Sequence, residues 1–160
     1  MSSLISLLLE SPDPRPEQLA KILGRDKGEI ERELEELRQN NTLLGWMPIL
    51  NPEKTDAEKV RAVIEVKISP EREGGFDRMA LRISKFDEVE SCYLMSGGYD
   101  LLVFVSGQTL KSVALFISER LATIEGVLST ATHFLLRPYK ERHHLLVQDG
   151  TTEDKPSVSP

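Results

Sequence analysis

The stretch Val89-Glu-Ser-Cys-Tyr-Leu-Met-Ser-Gly-Gly-Tyr-Asp-Leu-Leu-Val-Phe-Val-Ser106 decides the fold. Two apolar runs rich in β-branched and aromatic residues meet at Gly97-Gly98, so the segment reads as a sheet hairpin with strands at 89–95 and 101–105. Glycine reaches positive φ at little cost and lets a ligand or another backbone come close. The bend is therefore read in two ways, as a tight turn only or as a small-ligand site.

Upstream, Val60, Ala62, Ile64, Val66 and Ile68 alternate with Arg61, Glu65 and Lys67, the period of a half-buried strand. Phe76, Met79, Ala80 and Ile83 follow at helical spacing. Downstream of the hairpin, Leu110, Val113, Ala114, Ile117 and Leu121 mark a second amphipathic helix, and Gly126 precedes a long strand over 127–136. The order is βαββαβ, a ferredoxin-like unit with two helices on one sheet face, and right-handed crossovers leave few alternatives. The other face needs a cover as well, because Leu102 and Phe104 oppose Leu101, Val103 and Val105. A sheet-to-sheet homodimer would supply it.

The first third of the chain is helical. Leu4, Ile5, Leu7, Leu8 and Leu9 form a short apolar helix. A second helix starts near Pro16, buries Leu19, Ala20, Ile22 and Leu23, and stops at Gly24. Asp26 caps a third helix, with Glu29 completing a box-like cap and Ile30, Leu34 and Leu37 recurring on one side. Two helices joined by Gly24-Arg25-Asp26 make a helix-turn-helix, and Leu44-Gly-Trp-Met-Pro-Ile-Leu50 reads as a wing strand. The expected organisation is a winged helix-turn-helix domain over 1–50 and a polar linker over 51–59. A ferredoxin-like domain for effector binding and oligomerisation follows over 60–148, then a disordered tail over 149–160. The fold class is α+β.

Composition narrows the function. In 160 residues with formal net charge −6, no apolar run is long enough to span a bilayer, and residues 1–10 lack a basic n-region and a cleavage site. A cytoplasmic protein without membrane association is expected. The acidic balance argues against a surface that grips nucleic acid all over, though not against a local basic patch. Cys92 lies in a predicted strand and reads as a core hydrophobe. His143 and His144 are adjacent and point apart in a strand, and His133 has no ligand partner at metal spacing, so neither a metal nor another cofactor is expected. No P-loop, dinucleotide fingerprint or nucleophile elbow occurs, and the chain reads as a non-enzyme.

Val89…Ser-Gly-Gly-Tyr-Asp-Leu-Leu-Val103, the helix Leu110-Lys-Ser-Val-Ala-Leu-Phe-Ile-Ser-Glu-Arg-Leu121, the run Ile124-Glu-Gly-Val-Leu-Ser-Thr130 and Thr132-His-Phe-Leu-Leu136 together resemble the Lrp/AsnC (feast/famine) transcriptional regulators. In the first domain the fit includes Leu19-Ala20, Ile30, Arg32, Leu34, Leu37, Leu44-Gly-Trp46 and Asn51-Pro-Glu-Lys54. The resemblance implies a winged helix-turn-helix followed by a βαββαβ effector (RAM) domain. It also implies a homodimer that assembles further into tetramers or octamers, an amino acid or related metabolite as effector, and double-stranded DNA as partner. Sirohaem decarboxylases resemble this fold too, but no histidine and arginine arrangement here supports porphyrin carboxylate chemistry.

By position, Met95, Gly97, Gly98, Tyr99, Asp100, Thr130 and Thr132 are the effector candidates. Free N–H groups at a glycine turn can hold a carboxylate, and Asp100 can pair with an ammonium. Alternatively Asp100 only caps the turn and the threonines fill sheet positions. The DNA-contact candidates are Lys21, Arg25, Lys27, Gly28, Arg32 and Arg38. On the third helix Lys27, Arg32 and Arg38 are outnumbered by Glu29, Glu31, Glu33, Glu35 and Glu36, where regulators of this type usually place more basic residues. Carboxylates repel phosphate, so the alternative reading is a ligand- or partner-binding oligomeric protein whose helix-turn-helix no longer binds DNA.

Overall fold

A computed structural model of the chain describes residues 3–10, 15–55, 59–69 and 75–146. It divides into two compact units, one ending at Pro48 and the other beginning at Ile49. The tail over 149–160 lies outside the described residues.

The first unit contains α1 (Ser3–Glu10), α2 (Pro16–Leu23) and α3 (Lys27–Gln39). Pro16 opens α2, where the missing N–H is not needed, and Gly24 closes it at φ 63°, a left-handed position that suits glycine. Asp26 caps α3 by accepting from the Gly28 N–H at 2.8 Å. The expected box does not form: Glu29 lies 3.5 Å from Arg25 instead. Leu4, Leu19, Ala20, Ile30, Leu34 and Leu37 make the core, while Ile22, expected inside, is 56% exposed. An eight-residue helix needs only a narrow stripe to seat it, and Leu19 and Ala20 supply that.

The wing strand is a correction. Residues 43–50 carry no regular structure, and Leu44, Met47 and Leu50 stand exposed. A strand needs a hydrogen-bonding neighbour; among the described residues of this unit there is none, and Pro48 has no N–H to give. The helix-turn-helix is therefore present without a strand of its own beside it.

The second unit begins with a short 3₁₀ turn, Pro52–Lys54, inside the stretch expected to be a linker. Asn51 Nδ2 donates to the Leu146 carbonyl at 2.9 Å, so the start of that stretch is tied down within this unit. Then come β1 (Val60–Ile68), α4 (Asp77–Ile83), β2 (Val89–Leu94), β3 (Leu101–Gly107), α5 (Leu110–Leu115) and β4 (Val127–Phe134). The antiparallel sheet has the order β2-β3-β1-β4, with the two longest apolar runs at its centre. Ala62, Ile64, Val66, Leu101, Val103 and Val105 are fully buried against Met79, Ile83, Val113, Phe116, Ile117 and Leu121. The opposite face carries Val63, Glu65, Leu102, Phe104 and Tyr93, none of them buried. Phe104 and Tyr93 meet edge-to-face there at 6.1 Å.

The second amphipathic helix departs from simple periodicity. After Leu115 it continues as a π-helical turn, Phe116–Leu121, in which the Ala122 N–H reaches back to the Ile117 carbonyl. The wider turn rotates the apolar stripe, so Phe116 enters the core while Leu110 and Ala114, expected inside, are exposed. Arg120 then lies 4.7 Å from the centre of the Phe86 ring and pairs with Glu88. A small hairpin, β5 (Lys140–Glu141) and β6 (His144–Leu145), ends the described chain.

Candidate functional site

The Gly-Gly bend sits at one end of the sheet, held by Asp100. The Asp100 N–H donates to the Val66 carbonyl at 3.0 Å, and the carboxylate Oδ2 accepts from the Ile68 N–H at 2.8 Å. The Met95 N–H in turn donates to the Asp100 carbonyl at 2.8 Å. Asp100 thus extends pairing beyond the last β1–β3 residue pair, Val66 with Leu101, and fixes the bend against the end of the central strand. One carboxylate oxygen is spent on the chain's own backbone, which is the turn-capping task; an ammonium would have to use the other.

Gly97 has φ 132° and needs glycine for that reason. Gly98 does not: its φ is not positive, and a Cβ built there would meet nothing within 4 Å. It is exposed, whereas Met95, Tyr99 and Asp100 are half-buried. Thr130 pairs with Val66 and Thr132 with Ile64, so both threonines point toward the helix-covered side and are half-buried. Thr130 is in the same cross-sheet row as Leu101, two strand spacings or about 10 Å away. Thr132 is a further two residues along the strand, about 7 Å. The bend residues therefore form one cluster, Thr130 stands near it, and Thr132 stands off.

Sequence reasoning missed the partner of the Asp100 carboxylate, because a backbone N–H 32 positions away leaves no trace in composition or spacing. It also missed the pair His133 Nε2 and Glu65 Oε1, 3.3 Å apart on the uncovered sheet face, because strand register was not known. Burial raises the Cys92 thiol above its usual range, a Ser84 hydrogen bond opposing weakly, in keeping with a core role.

In the first unit the DNA-contact candidates all lie on α2, α3 or the turn between them, and Arg25, Lys27 and Arg38 are engaged by carboxylates. Arg25 Nη1 donates to Glu33 Oε2 at 2.6 Å, and Lys27 Nζ lies 2.6 Å from Glu17 and 3.4 Å from Glu31. Arg38 is 3.7 Å from Glu35. These pairs raise the affinity of Arg25 and Lys27 for their protons and lower the Glu17 carboxyl below the usual range, the Lys27 hydrogen bond being the main cause. Lys21 is exposed with no carboxylate in salt-bridge range among the described residues, and Arg32 Nε donates to the Gly28 carbonyl at 3.2 Å. Gly28 is half-buried at the start of α3, where a side chain would touch the Asp26 carboxylate at 3.0 Å. Its small size keeps the cap in place.

Among the described residues no group of histidine, cysteine and acidic side chains is placed to hold a metal, and no helix is long and apolar enough to cross a membrane.

Comparison with known proteins adds the following. Residues 61–145 match the Lrp/AsnC ligand binding domain. The chain is 36% identical over 160 residues to YugG of Bacillus subtilis (strain 168), an uncharacterized HTH-type transcriptional regulator, covering 99% of this chain and 96% of that protein. It is 28% identical to the proline dehydrogenase transcriptional activator of Rhizobium radiobacter, over 78% of this chain and 79% of that one. Among solved structures, the Neisseria meningitidis transcriptional regulator NMB0573 in complex with L-Met superposes with TM-score 0.62 at 22% identity, covering 86% and 88% of the two chains, a likeness of fold.

Proposed function

This chain belongs to the Lrp/AsnC family, and from that premise we propose that it is a DNA-binding transcriptional regulator whose sheet-end bend takes an amino acid or related small metabolite. The carrying observation is Gly98. It is an exposed glycine without positive φ, with open space around its Cα, beside a bend pinned by Asp100, and it leaves room for a ligand or second subunit to approach the backbone closely. Backbone N–H groups at the bend suit a carboxylate, and the free Asp100 oxygen suits an ammonium. The neisserial relative was captured with L-Met, which supports an amino acid here.

The assembly in this reading is a homodimer through the uncovered sheet face, where Val63, Leu102, Phe104 and Tyr93 offer apolar surface, with tetramers or octamers as further steps. Effector binding at the bend favours one packing of subunits over another and so alters the spacing of paired α3 helices on duplex DNA. Such coupling requires different effector affinity in the two arrangements. A protein of this kind works in the cytoplasm and catalyses nothing.

A second reading has its own observation. With Arg25, Lys27 and Arg38 neutralised by their own helices, the first unit fits an oligomeric ligand- or partner-binding protein that no longer reads DNA. Of two measurements, the first tests the effector site common to both readings and the second separates them. A thermal-shift screen over the amino acids on the full chain gives a rise in Tm under both, since a ligand specific for the native state stabilises it by mass action. Salt-dependent binding to duplex DNA, weakened by Arg32→Ala, is expected only under the first, and no binding at low salt leaves the second.

A further inference from the structure

If α3 reads DNA, Arg32 is its one cation without a carboxylate in salt-bridge range among the described residues, too few to hold a phosphate backbone, and further affinity has to come from elsewhere. The segment Arg137-Pro-Tyr-Lys-Glu-Arg-His-His144 is the densest run of basic side chains in a chain of net charge −6. The structure folds it into the β5–β6 hairpin, with Lys140 opposite Leu145 and Glu141 opposite His144. Its base is fixed: Leu146 is buried, its N–H donates to the Tyr139 carbonyl at 3.0 Å, and its carbonyl accepts from Asn51. Its tip is exposed, with Lys140, Arg142, His143 and His144 all facing solvent. Arg137 stacks on Tyr139 at 5.6 Å, which keeps a further charge beside the arm.

The turn is built against local preference. Arg142 and His143 have φ 44° and 72°, the left-handed region that an Asn-Gly turn fills at lower cost. Keeping an arginine and a histidine there costs stability, the kind of local strain found where a surface has a binding task. A narrow two-stranded ribbon fits a DNA groove, and a basic tip on it meets phosphates.

We propose that the hairpin spanning Lys140 to Leu145 is a second, sequence-independent DNA contact, with Lys140 and Arg142 binding backbone phosphates. The proposal rests on reading the chain as a DNA-binding regulator. Glu141 offsets the arm only in part: its carboxylate lies 4.0 Å from Arg61 and 3.8 Å from Arg142, while Lys140 has no carboxylate in salt-bridge range among the described residues.

The test is fluorescence anisotropy of a labelled random-sequence duplex titrated with the full chain across a series of NaCl concentrations. Wild type is compared with Lys140→Gln/Arg142→Gln. Each phosphate contact contributes about 0.9 to the slope of log K against log salt, so the double variant should lose about 1.8 of slope and about 60-fold in affinity at 0.1 M salt. Binding by both proteins with the same slope would overturn the inference while leaving the regulator reading intact. Absence of wild-type binding to any duplex at 50 mM NaCl would instead remove the regulator reading and this inference with it. Sedimentation without DNA checks the other occupant: if the double variant loses self-association, the arm grips a second copy of the chain and the inference falls. Both substituted side chains are exposed, and an unchanged melting curve confirms that folding is intact.

Discussion

The two units treat their polar groups in opposite ways. In the sheet unit Asp100 spends charge on backbone geometry, tying a bend to the end of β1 and leaving an open glycine beside it. In the helical unit Arg25, Lys27 and Arg38 spend theirs on neighbouring carboxylates, leaving little for an outside partner. A site is readable where polar groups are held in place and left accessible; where they satisfy one another, the same residue types point to no ligand.

The largest effects should come from the cores, and they should separate the units. Ile64→Ala, at a fully buried position on β1, should cost about 2–5 kcal/mol and abolish the amino-acid thermal shift. Ile30→Ala, equally buried in the helical unit, should cost a similar amount and weaken duplex binding while the thermal shift survives. Denaturant unfolding of both variants with and without amino acid checks this. Loss of the shift in both would erase the contrast.

Next comes Asp100. Asp100→Ala leaves the Ile68 N–H without its acceptor and should destabilise the chain by about 1–3 kcal/mol, read from the shift in denaturant midpoint. Asp100→Asn keeps an acceptor oxygen while removing the charge, so stability should be nearly retained and the amino-acid shift reduced. Equal stability losses in the two variants would mean that charge, not hydrogen bonding, holds the bend.

Releasing the trapped cations should sharpen the other side. Glu29→Gln/Glu33→Gln removes both carboxylates from Arg25 and should raise duplex affinity several-fold at low salt, an increase that added salt reverses. No gain would indicate that Arg25 does not face the duplex.

The smallest effect is at the Lys27–Glu17 pair, which joins α2 to α3. The folded Glu17 pKa is depressed, so its contribution is complete above the unfolded value of about 4.3 and is lost as pH falls through the lower folded value. Glu17→Gln should lower Tm slightly at pH 6, and the gap from wild type should close under acid. A gap that persists at pH 3 would show that the pair is not its source.

The sheet was legible because alternation is a local signal. Val60 to Ile68 and Leu101 to Val105 display their buried faces in the sequence, and a glycine pair between two strands fixes a hairpin. The wing strand at 44–50 was not legible, because β-favouring residues do not reveal whether a neighbouring strand exists to pair with them. Periodicity likewise mislaid Phe116, since a π turn breaks the 3.6-residue count within one helix. The bend residues of the candidate site could be named from sequence, but the side to which Thr130 and Thr132 point depends on their pairing with Val66 and Ile64. The carboxylate partners of Arg25 and Lys27 depended on three-dimensional placement too, although the abundance of glutamate on α3 already warned of them.

Gly98 offers the most direct test of the effector site, because a Cβ there meets nothing within 4 Å, the position is exposed and its φ is not positive. The measurement is the thermal shift of Gly98→Leu beside wild type, each with the amino acid that stabilises wild type most. An unliganded Tm close to wild type, with the ligand-induced rise abolished, is the predicted result. A wild-type rise in Gly98→Leu would contradict it and place the effector away from the bend.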